Sequence, residues 1–255
     1  MGETSAISWT DATFNPWIGC TKVSQGCKFC YAETQNNRYK WNPEGWGAGV
    51  PRKRTSAANW KEPIKWAKQA RAESVVKRVF CASLADVFDA EAPAQWRNDL
   101  WVLISECSAI GGLEWLLLTK RPENIKRMMP AHLTENPPDH IRIGVTVEDQ
   151  TTAMRMGYLL DGWSGKNFVS YEPAIGPLFL GVFSKSIDWL ICGGESGAGC
   201  RPFNEQWARD IRDECQSAQV AFFMKQLGGH PDKRHDPEGW PKDLRVREFP
   251  GYNHD

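Results

Sequence analysis

"LEWLLLTKRP", residues 113–122, is an apolar run of the length of a buried strand that ends in a hydroxyl and two cations. Runs of the same form lie at residues 76–88, 140–149, 167–177, 187–197 and 220–229. Segments with the periodicity of amphipathic helices lie between several of them, as at 91–110 and 204–218. The sequence therefore predicts strands that alternate with helices along the chain.

This alternation favours an α/β fold with a parallel sheet. With a short first strand in "TFNPWIG" (13–19), about seven strands are predicted, which suits a full or partial (β/α) barrel of the TIM-barrel kind. A doubly wound open sheet is the alternative. Since no linker rich in Pro, Gly or Ser divides the chain, residues 1–255 are predicted to form a single domain with a cysteine loop (14–33), an irregular insertion (42–56) and a polar C-terminal surface extension (230–255).

The composition is that of an ordinary globular protein. Of 255 residues, 41% are apolar and 24% are charged, and the formal net charge is zero. A neutral chain carries no global electrostatic footprint for nucleic acid, although a local basic groove remains open. No apolar run has the length of a membrane span, and the N-terminal residues lack the features of a signal peptide. We therefore expect no membrane partner and a cytoplasmic location, where thiols stay reduced.

Polar side chains follow nearly every predicted strand. Carboxyl ends of parallel strands meet at one edge of a sheet, so side chains at these tips are predicted to line a shared ligand site. The other interpretation is that they form ordinary ion pairs where strands reach the surface. The candidates are Ser83, Asp86, Lys120, Arg121, Thr146, Glu148, Glu172 and Glu195.

Three of the eight cysteines are clustered as Cys20-x6-Cys27-x2-Cys30. A structural zinc site needs four ligands, and no histidine lies near these three in the sequence. A redox CxxC pair would leave Cys20 without a role. A [4Fe–4S] cluster with three protein ligands uses all three thiols and leaves one iron open to a small molecule.

In "GCKFCYAE" the aromatic Phe29 directly precedes the last cysteine. A three-cysteine loop of this kind, placed after the first strand of a parallel α/β barrel, resembles the radical S-adenosylmethionine (SAM) enzymes. The resemblance implies that Cys20, Cys27 and Cys30 hold a [4Fe–4S] cluster, that SAM binds its open iron, and that electron transfer yields a 5′-deoxyadenosyl radical. It also implies an electron donor such as a flavodoxin or a ferredoxin.

The strand-tip residues acquire expected roles from this resemblance. Lys120 or Arg121 is expected to bind the SAM carboxylate or a substrate phosphate, which Arg can do in bidentate fashion. Glu195 is expected either at the cofactor or, with Arg201, in a substrate pocket. The SAM amino group and ribose hydroxyls are expected to contact carboxylates and hydroxyls among Ser83, Asp86, Thr146, Glu148 and Glu172.

A second resemblance covers nearly the whole chain. The segments "TDATFNPWIGC", "CYAE", "SLADVFD", "LLTKRP", "GVTVE", "EPAIGP", "CGGESGAGCRPF" and "FFMKQLG" resemble a family with a three-cysteine motif found in phages, prophages and bacteria. The resemblance implies a phage or prophage protein in a bacterial cell. It suggests modification or repair of an unknown substrate, with DNA or RNA as the candidate.

The basic run "PRKRT" (51–55), near Trp46 and Trp60, is a candidate contact for a nucleic-acid backbone, although such runs are usually only solvated. The alternative function is a binding protein for nucleic acid or protein, in which zinc or an iron–sulfur cluster only stabilises the cysteine loop and no SAM chemistry occurs. A zinc hydrolase is disfavoured because its ligands would more usually include histidine.

Overall fold

The computed structural model describes residues 4–251, so the ends of the predicted domain, residues 1–3 and 252–255, lie outside the described residues. The strands are β1 (Ala12–Phe14), β2 (Trp17–Ile18), β3 (Lys53–Arg54), β4 (Lys77–Cys81), β5 (Leu113–Thr119), β6 (Ile141–Thr146), β7 (Asn167–Tyr171), β8 (Trp189–Gly193) and β9 (Ala221–Gln226). The α-helices are α1 (Tyr31–Tyr39), α2 (Ala57–Glu73), α3 (Ala94–Ile110), α4 (Ile125–Met128), α5 (Ala131–Glu135), α6 (Met154–Gly162) and α7 (Glu205–Ala218).

Seven of the strands form one sheet in the order β1-β4-β5-β6-β7-β8-β9. The registered pairs β1–β4, β4–β5, β7–β8 and β8–β9 are all parallel. Within the described part of the chain β1 and β9 do not pair, so the sheet has the form of an open half-barrel. The predicted α/β class and parallel sheet are confirmed, whereas closure into a full barrel is not seen. β2 and β3 form a separate antiparallel pair.

The apolar runs of the sequence form strands whose side chains are buried beneath helices and loops. Every residue of β6, β7 and β8 is buried, as is typical of parallel strands covered on both faces. The amphipathic segment predicted at 91–110 is confirmed as α3, which buries four residues of one apolar face and half-buries a fifth, Trp96. The four buried residues are Leu100, Leu103, Ile104 and Cys107.

Two compact units divide the chain, and each is described separately. Unit 1 comprises the described part of Met1–Lys22, Ala32–Ile143 and Gly162–Lys166. Its core includes Phe14, whose ring lies edge-on to Trp60 and Trp115 at centroid distances of 5.7 and 6.0 Å. Unit 2 comprises Val23–Tyr31, Gly144–Asp161 and the described part of Asn167–Asp255. The single domain stays a prediction.

The segment after β9 is packed rather than merely solvent-exposed. Leu244 is fully buried. The Met224 amide donates to the Val246 carbonyl at 2.8 Å, and the Glu248 amide donates to the Phe222 carbonyl at 2.9 Å. Part of the predicted surface extension therefore lies along the outer edge of β9. Separately, no helix among residues 4–251 is both long enough and apolar enough to cross a membrane.

Candidate functional site

Cys20 lies beyond β2 and contacts a side chain that follows β5. Arg121 Nη1 donates to Cys20 Sγ at 3.5 Å, and Arg121 Nη2 donates to the Thr21 carbonyl at 2.6 Å. The Arg121 side chain is almost fully buried. A predicted strand-tip cation therefore binds the sulfur of the first cysteine and the backbone carbonyl of the next residue, Thr21.

Asp86, in the loop after β4, fixes Arg121 in this position. One carboxylate oxygen accepts from Thr119 Oγ1 at 2.8 Å and from the Phe88 amide at 2.9 Å. The other accepts from Arg121 Nη1 at 2.8 Å and from the Lys120 amide at 3.1 Å. Four donors meet the acceptor capacity of a carboxylate. The geometry makes Asp86 a positioning residue for Arg121, and its contact with a cofactor stays a prediction.

Burial governs the titration of Cys20. Burial and the charge of Asp86 raise the pKa of the Cys20 thiol to about 12, while Arg121 opposes the shift. Only a thiolate ligates iron, so binding of iron at Cys20 would release a proton.

The insertion 42–56 is tied to the residue after Cys20. Arg52 donates from Nε and Nη2 to Asp89 Oδ2 at 2.9 and 2.7 Å, and both side chains are buried. Arg52 Nη2 also donates to Thr21 Oγ1 at 2.6 Å, and Thr21 Oγ1 donates to Glu91 Oε1 at 2.6 Å. Hydrogen bonds from Thr21 and from the Gly49 amide lower the pKa of Glu91. Buried ion pairs and hydrogen bonds thus hold the chain on the C-terminal side of Cys20.

In unit 2 the second cysteine belongs to a short 3-10 helix, Gln25–Cys27. Ser24 Oγ donates to Glu148 Oε1 at 2.5 Å and lies 3.8 Å from Cys27 Sγ. Arg155 Nη1 donates to the other Glu148 oxygen at 2.9 Å, and the Glu148 side chain is 1% exposed. A predicted strand-tip carboxylate, two residues beyond β6, therefore holds the turn that carries Cys27.

Gly26 is required for this approach. A Cβ atom at this position would lie 2.5 Å from Glu148 Oε1 and 2.6 Å from Glu148 Cγ. Real Cβ atoms essentially never come this close to another atom, so an added Cβ would force the turn or the buried Glu148 side chain to shift. The glycine between Gln25 and Cys27 thus lets the turn rest directly on Glu148.

The other carboxylate of this region is Glu195, two residues beyond β8. It accepts from Arg201 Nε at 2.9 Å and from Nη2 at 2.5 Å, which is a bidentate pair. Arg201 Nη2 also donates to the Gln25 carbonyl at 3.0 Å, and its guanidinium lies 5.6 Å from the centre of the Phe29 ring. The Glu195 contact raises the pKa of Arg201. Glu195 and Arg201 thus form an ion pair that supports the segment between Ser24 and Phe29, and a substrate pocket at these residues stays a prediction.

The remaining candidates have contacts of other kinds. Glu172 pairs with Lys225. Ser83 Oγ accepts from Asn15 Nδ2 at 2.9 Å, and the carbonyl of the buried Thr146 accepts from Arg155 Nη1 at 2.9 Å. The structure therefore brings Asp86 and Arg121 to Cys20, and Glu148 and Glu195 to the segment of Cys27.

Several residues of this network escaped the sequence analysis. Ser24 and Glu148 are 124 positions apart, and Arg52 and Asp89 are 37 positions apart. Arg155 is only seven positions from Glu148, but it lies on α6 and Glu148 lies in the loop after β6. A hydroxyl three residues before Cys27 was the one local signal that could have suggested Ser24. Arg52 lay within the basic run that was interpreted as solvated or as a nucleic-acid contact.

The chemistry of the three cysteines fits an iron–sulfur cluster. Cys20, Cys27 and Cys30 are half-buried, and none is in a disulfide. Within residues 4–251, however, no three or more His, Cys, Asp or Glu side chains are grouped so that they could hold a metal ion. The donor set therefore suits thiolate ligation, and its assembly around a cluster stays a prediction.

Comparison with known proteins gives one result. No curated protein and no solved structure matches the chain. A family model described as "Protein of unknown function (DUF5131)" matches residues 4–255. Since this match covers nearly the whole chain, including the three cysteines and every strand-tip candidate, the protein belongs to the DUF5131 family.

Proposed function

We propose that this chain is a radical SAM-type iron–sulfur enzyme that modifies or repairs its substrate, with Cys20, Cys27 and Cys30 as the cluster ligands. When bound, the cluster and SAM together would supply a 5′-deoxyadenosyl radical. The observation that carries the proposal is that two of the three cysteine positions rest on polar side chains at the carboxyl ends of parallel strands. These side chains are Arg121, beyond β5, and Glu148, beyond β6.

The side chains of this chain have two roles in the proposal. Arg121 orients Cys20 through its sulfur and through the Thr21 carbonyl, while Glu148 orients the turn of Cys27 through Ser24. Arg121, Lys120 and the carboxylates at the strand tips remain the proposed contacts for SAM.

The same contacts weigh against the alternative, a protein stapled by metal. A structural metal is needed where the chain cannot otherwise hold its loop. Here Arg121 binds the Thr21 carbonyl and Arg201 binds the Gln25 carbonyl. The protein itself thus provides contacts that position both cysteine segments, which favours a functional metal over a structural one.

The test is anaerobic. The chain is purified without oxygen, reconstituted with iron and sulfide, reduced and mixed with SAM, and the EPR spectrum and formation of 5′-deoxyadenosine are followed. We expect a reduced-cluster signal that shifts on addition of SAM. One zinc ion per chain with no response to SAM would contradict the proposed radical SAM activity and would support the alternative, a binding protein whose cysteine loop is stabilised by a structural metal.

Matched cysteine variants make the assignment specific. Cys27→Ala is expected to lose the cluster signal. Cys200→Ala, at another half-buried cysteine outside the motif, should retain it. Equal iron content in both variants would remove Cys27 from the ligand set.

A further inference from the structure

Two aromatic side chains are stacked on the surface of unit 1 at the C-terminal end of α1: Tyr39 is the last residue of the helix, and Trp41 lies two residues further along the chain. The rings of Tyr39 and Trp41 lie 5.0 Å apart between centroids and 19° from parallel. They remain 52% and 39% exposed. The guanidinium of Arg38 lies 5.1 Å from the centre of the Tyr39 ring. The result is a flat aromatic surface bordered by a cation and open to solvent.

The backbone fixes this pair in place. The Asn42 amide donates to Asn36 Oδ1 at 2.7 Å, and Asn36 Nδ2 donates back to the Asn42 carbonyl at 3.1 Å. Both asparagines are buried. Between them Lys40 has a φ of +53°, a left-handed conformation that costs a non-glycine residue free energy. This turn brings the residues on either side of Lys40 face to face.

Stability does not explain this arrangement. Aromatic side chains contribute most to folding when they are buried, whereas Tyr39 and Trp41 are among the exposed large apolar residues of the chain. A strained residue and two buried asparagines instead present a rigid, exposed stack. The cations alone would have a structural reason, since positive charge is favourable at the C-terminus of a helix such as α1. The helix dipole gives no comparable reason for an exposed pair of aromatic rings.

The charge around the stack suits phosphate. Arg38 and Lys40 are exposed, and among residues 4–251 neither is ion-paired with a carboxylate. One carboxylate of the adjoining loop, Glu44, is also exposed. Two cations beside a stacking surface form a combination that proteins use to bind unpaired bases and their backbone.

The basic run predicted from the sequence as a nucleic-acid contact is largely occupied. Arg52 is buried against Asp89 at 2.7 Å. Arg54 pairs with Asp99 at 2.6 Å and lies over the Trp60 ring at 4.1 Å. The segment 38–41 therefore offers the better surface, one loop earlier in the chain.

We propose that Tyr39 and Trp41, flanked by Arg38 and Lys40, form a binding platform for single-stranded nucleic acid, on which exposed bases stack while the cations contact phosphates. The inference adds a class of macromolecule to the proposed function, yet it does not depend on cluster chemistry. The Cys27→Ala variant is expected to bind the strand as the wild type does, so failure of the radical chemistry and failure of the platform are distinguishable.

The experiment is fluorescence anisotropy of the full-length chain with labelled single-stranded DNA, single-stranded RNA and duplex DNA of the same mixed sequence at about 50 mM salt. We expect one or both single strands to bind more tightly than the duplex, in which the bases are already stacked. The variant Y39A/W41A should bind at least about tenfold more weakly, whereas Y39F/W41F should retain binding because it retains the rings.

The cations are tested by the dependence of affinity on salt. Two phosphate contacts predict a slope of log affinity against log salt of about −1.4 for a single strand. Arg38→Ala and Lys40→Ala should each reduce this slope by about half. Tyr158→Ala and Lys185→Ala are the matched controls, since both residues are exposed on unit 2, and neither should change binding.

The platform would be rejected by any of three outcomes: no binding of a single strand by the wild type, equal affinity for single strand and duplex, or equal affinity of the wild type and Y39A/W41A. Circular dichroism and cooperative unfolding of each variant establish that it is folded. Because the mutated side chains are exposed, the variants are expected to fold.

Discussion

At the scale of single residues, the distinctive feature of the cysteine motif is that buried polar side chains from the strand ends contact it. Arg121 reaches Cys20, and Ser24 joins Cys27 to Glu148. Both supports are charged and buried, so each depends on its partner. A buried charge that loses its partner is costly, whereas an exposed pair contributes little. This difference gives a direct test of which contacts matter.

Glu148→Gln is expected to lower the free energy of unfolding by about 1–3 kcal/mol, because the neutral amide leaves Arg155 without its charged partner in a buried site. Urea denaturation measures the effect. Glu205→Gln is the control, since Glu205 pairs with Arg209 on α7 at a site that is about one-third exposed to solvent, and it should change stability by less than about 0.5 kcal/mol. A similar decrease in the free energy of unfolding in the two variants would show that the burial of Glu148 does not determine how much its ion pair stabilises the protein.

The buried thiols predict a stability that falls in alkali. Burial, with the nearby Glu106, raises the pKa of Cys107 to about 12, above about 8.5 in an unfolded chain. The folded state then binds this proton more tightly, so the contribution is fully present below about pH 8.5 and is lost as pH rises toward 12.

Cys107→Ala should therefore lose stability less steeply than the wild type between about pH 9 and 11, by about 1.4 kcal/mol per pH unit. Urea denaturation at several pH values in this range gives the two slopes. Parallel slopes for variant and wild type would contradict the assignment to Cys107. Burial also raises the pKa of Cys81, Cys192 and Cys215, so the wild-type slope contains their contributions as well.

At the scale of elements, the apolar periodicity of the sequence predicted most of the strands and helices whose apolar faces are buried in the structure. The apolar runs became β4 to β9, and the amphipathic segments became α2, α3, α6 and α7. Helix α1, which directly follows Cys30, was not predictable in this way, because its sequence is polar and has few apolar positions to indicate a buried face. The pair of β2 and β3 was not predictable either, because strands of two residues are too short to show a periodic pattern.

The candidate site was predictable only in part, for a similar reason. A tip residue such as Glu148 is visible because it follows an apolar run. Its partners Ser24 and Arg155 are not: Ser24 is 124 positions away, and Arg155, seven positions away, lies on a different element, so neither hydrogen bond leaves a periodic pattern in the sequence. The sequence therefore located the carboxyl ends of the strands, whereas the hydrogen-bond partners of the residues at those ends could be identified only from the structure.

Gly26→Ala tests the contact between the 3-10 helix and β6. The added methyl would lie 2.5 Å from Glu148 Oε1, so the turn and the carboxylate cannot both keep their places. We expect a loss of about 1–3 kcal/mol in stability, and less iron per chain after anaerobic reconstitution. Gly239→Ala, where no atom lies within 4 Å of the added carbon, should match the wild type in both measurements. Normal iron content in Gly26→Ala would separate this contact from cluster assembly.

At the scale of the whole molecule, the open sheet and its covering helices supply a core that does not depend on the cysteine motif. Trp115 in unit 1 and Trp189 in unit 2 are nearly inaccessible to solvent, and both lie on strands rather than in the cysteine segment. A fold built on such strands has its apolar burial without a metal. The proposed cluster would therefore add function to a chain that is already folded.

Removal of metal should accordingly leave the fold intact. We expect chain treated with a chelator to retain its far-UV circular dichroism and a cooperative thermal transition, while losing any response to SAM. A structural metal would give the opposite result, with loss of secondary structure on chelation. Reconstituted and chelator-treated samples of one preparation provide the comparison.

The segment along β9 has a consequence for association between molecules. An outermost strand offers a row of amides and carbonyls to which a strand from another chain can add. Here the backbone near Val246 and Glu248 occupies part of that row, and Phe249 packs its ring against Phe223 at 5.2 Å. Displacing this segment, for example with Phe249→Asp, would uncover the edge of β9. The same few residues that complete the fold of unit 2 thus protect the protein against edge-to-edge aggregation.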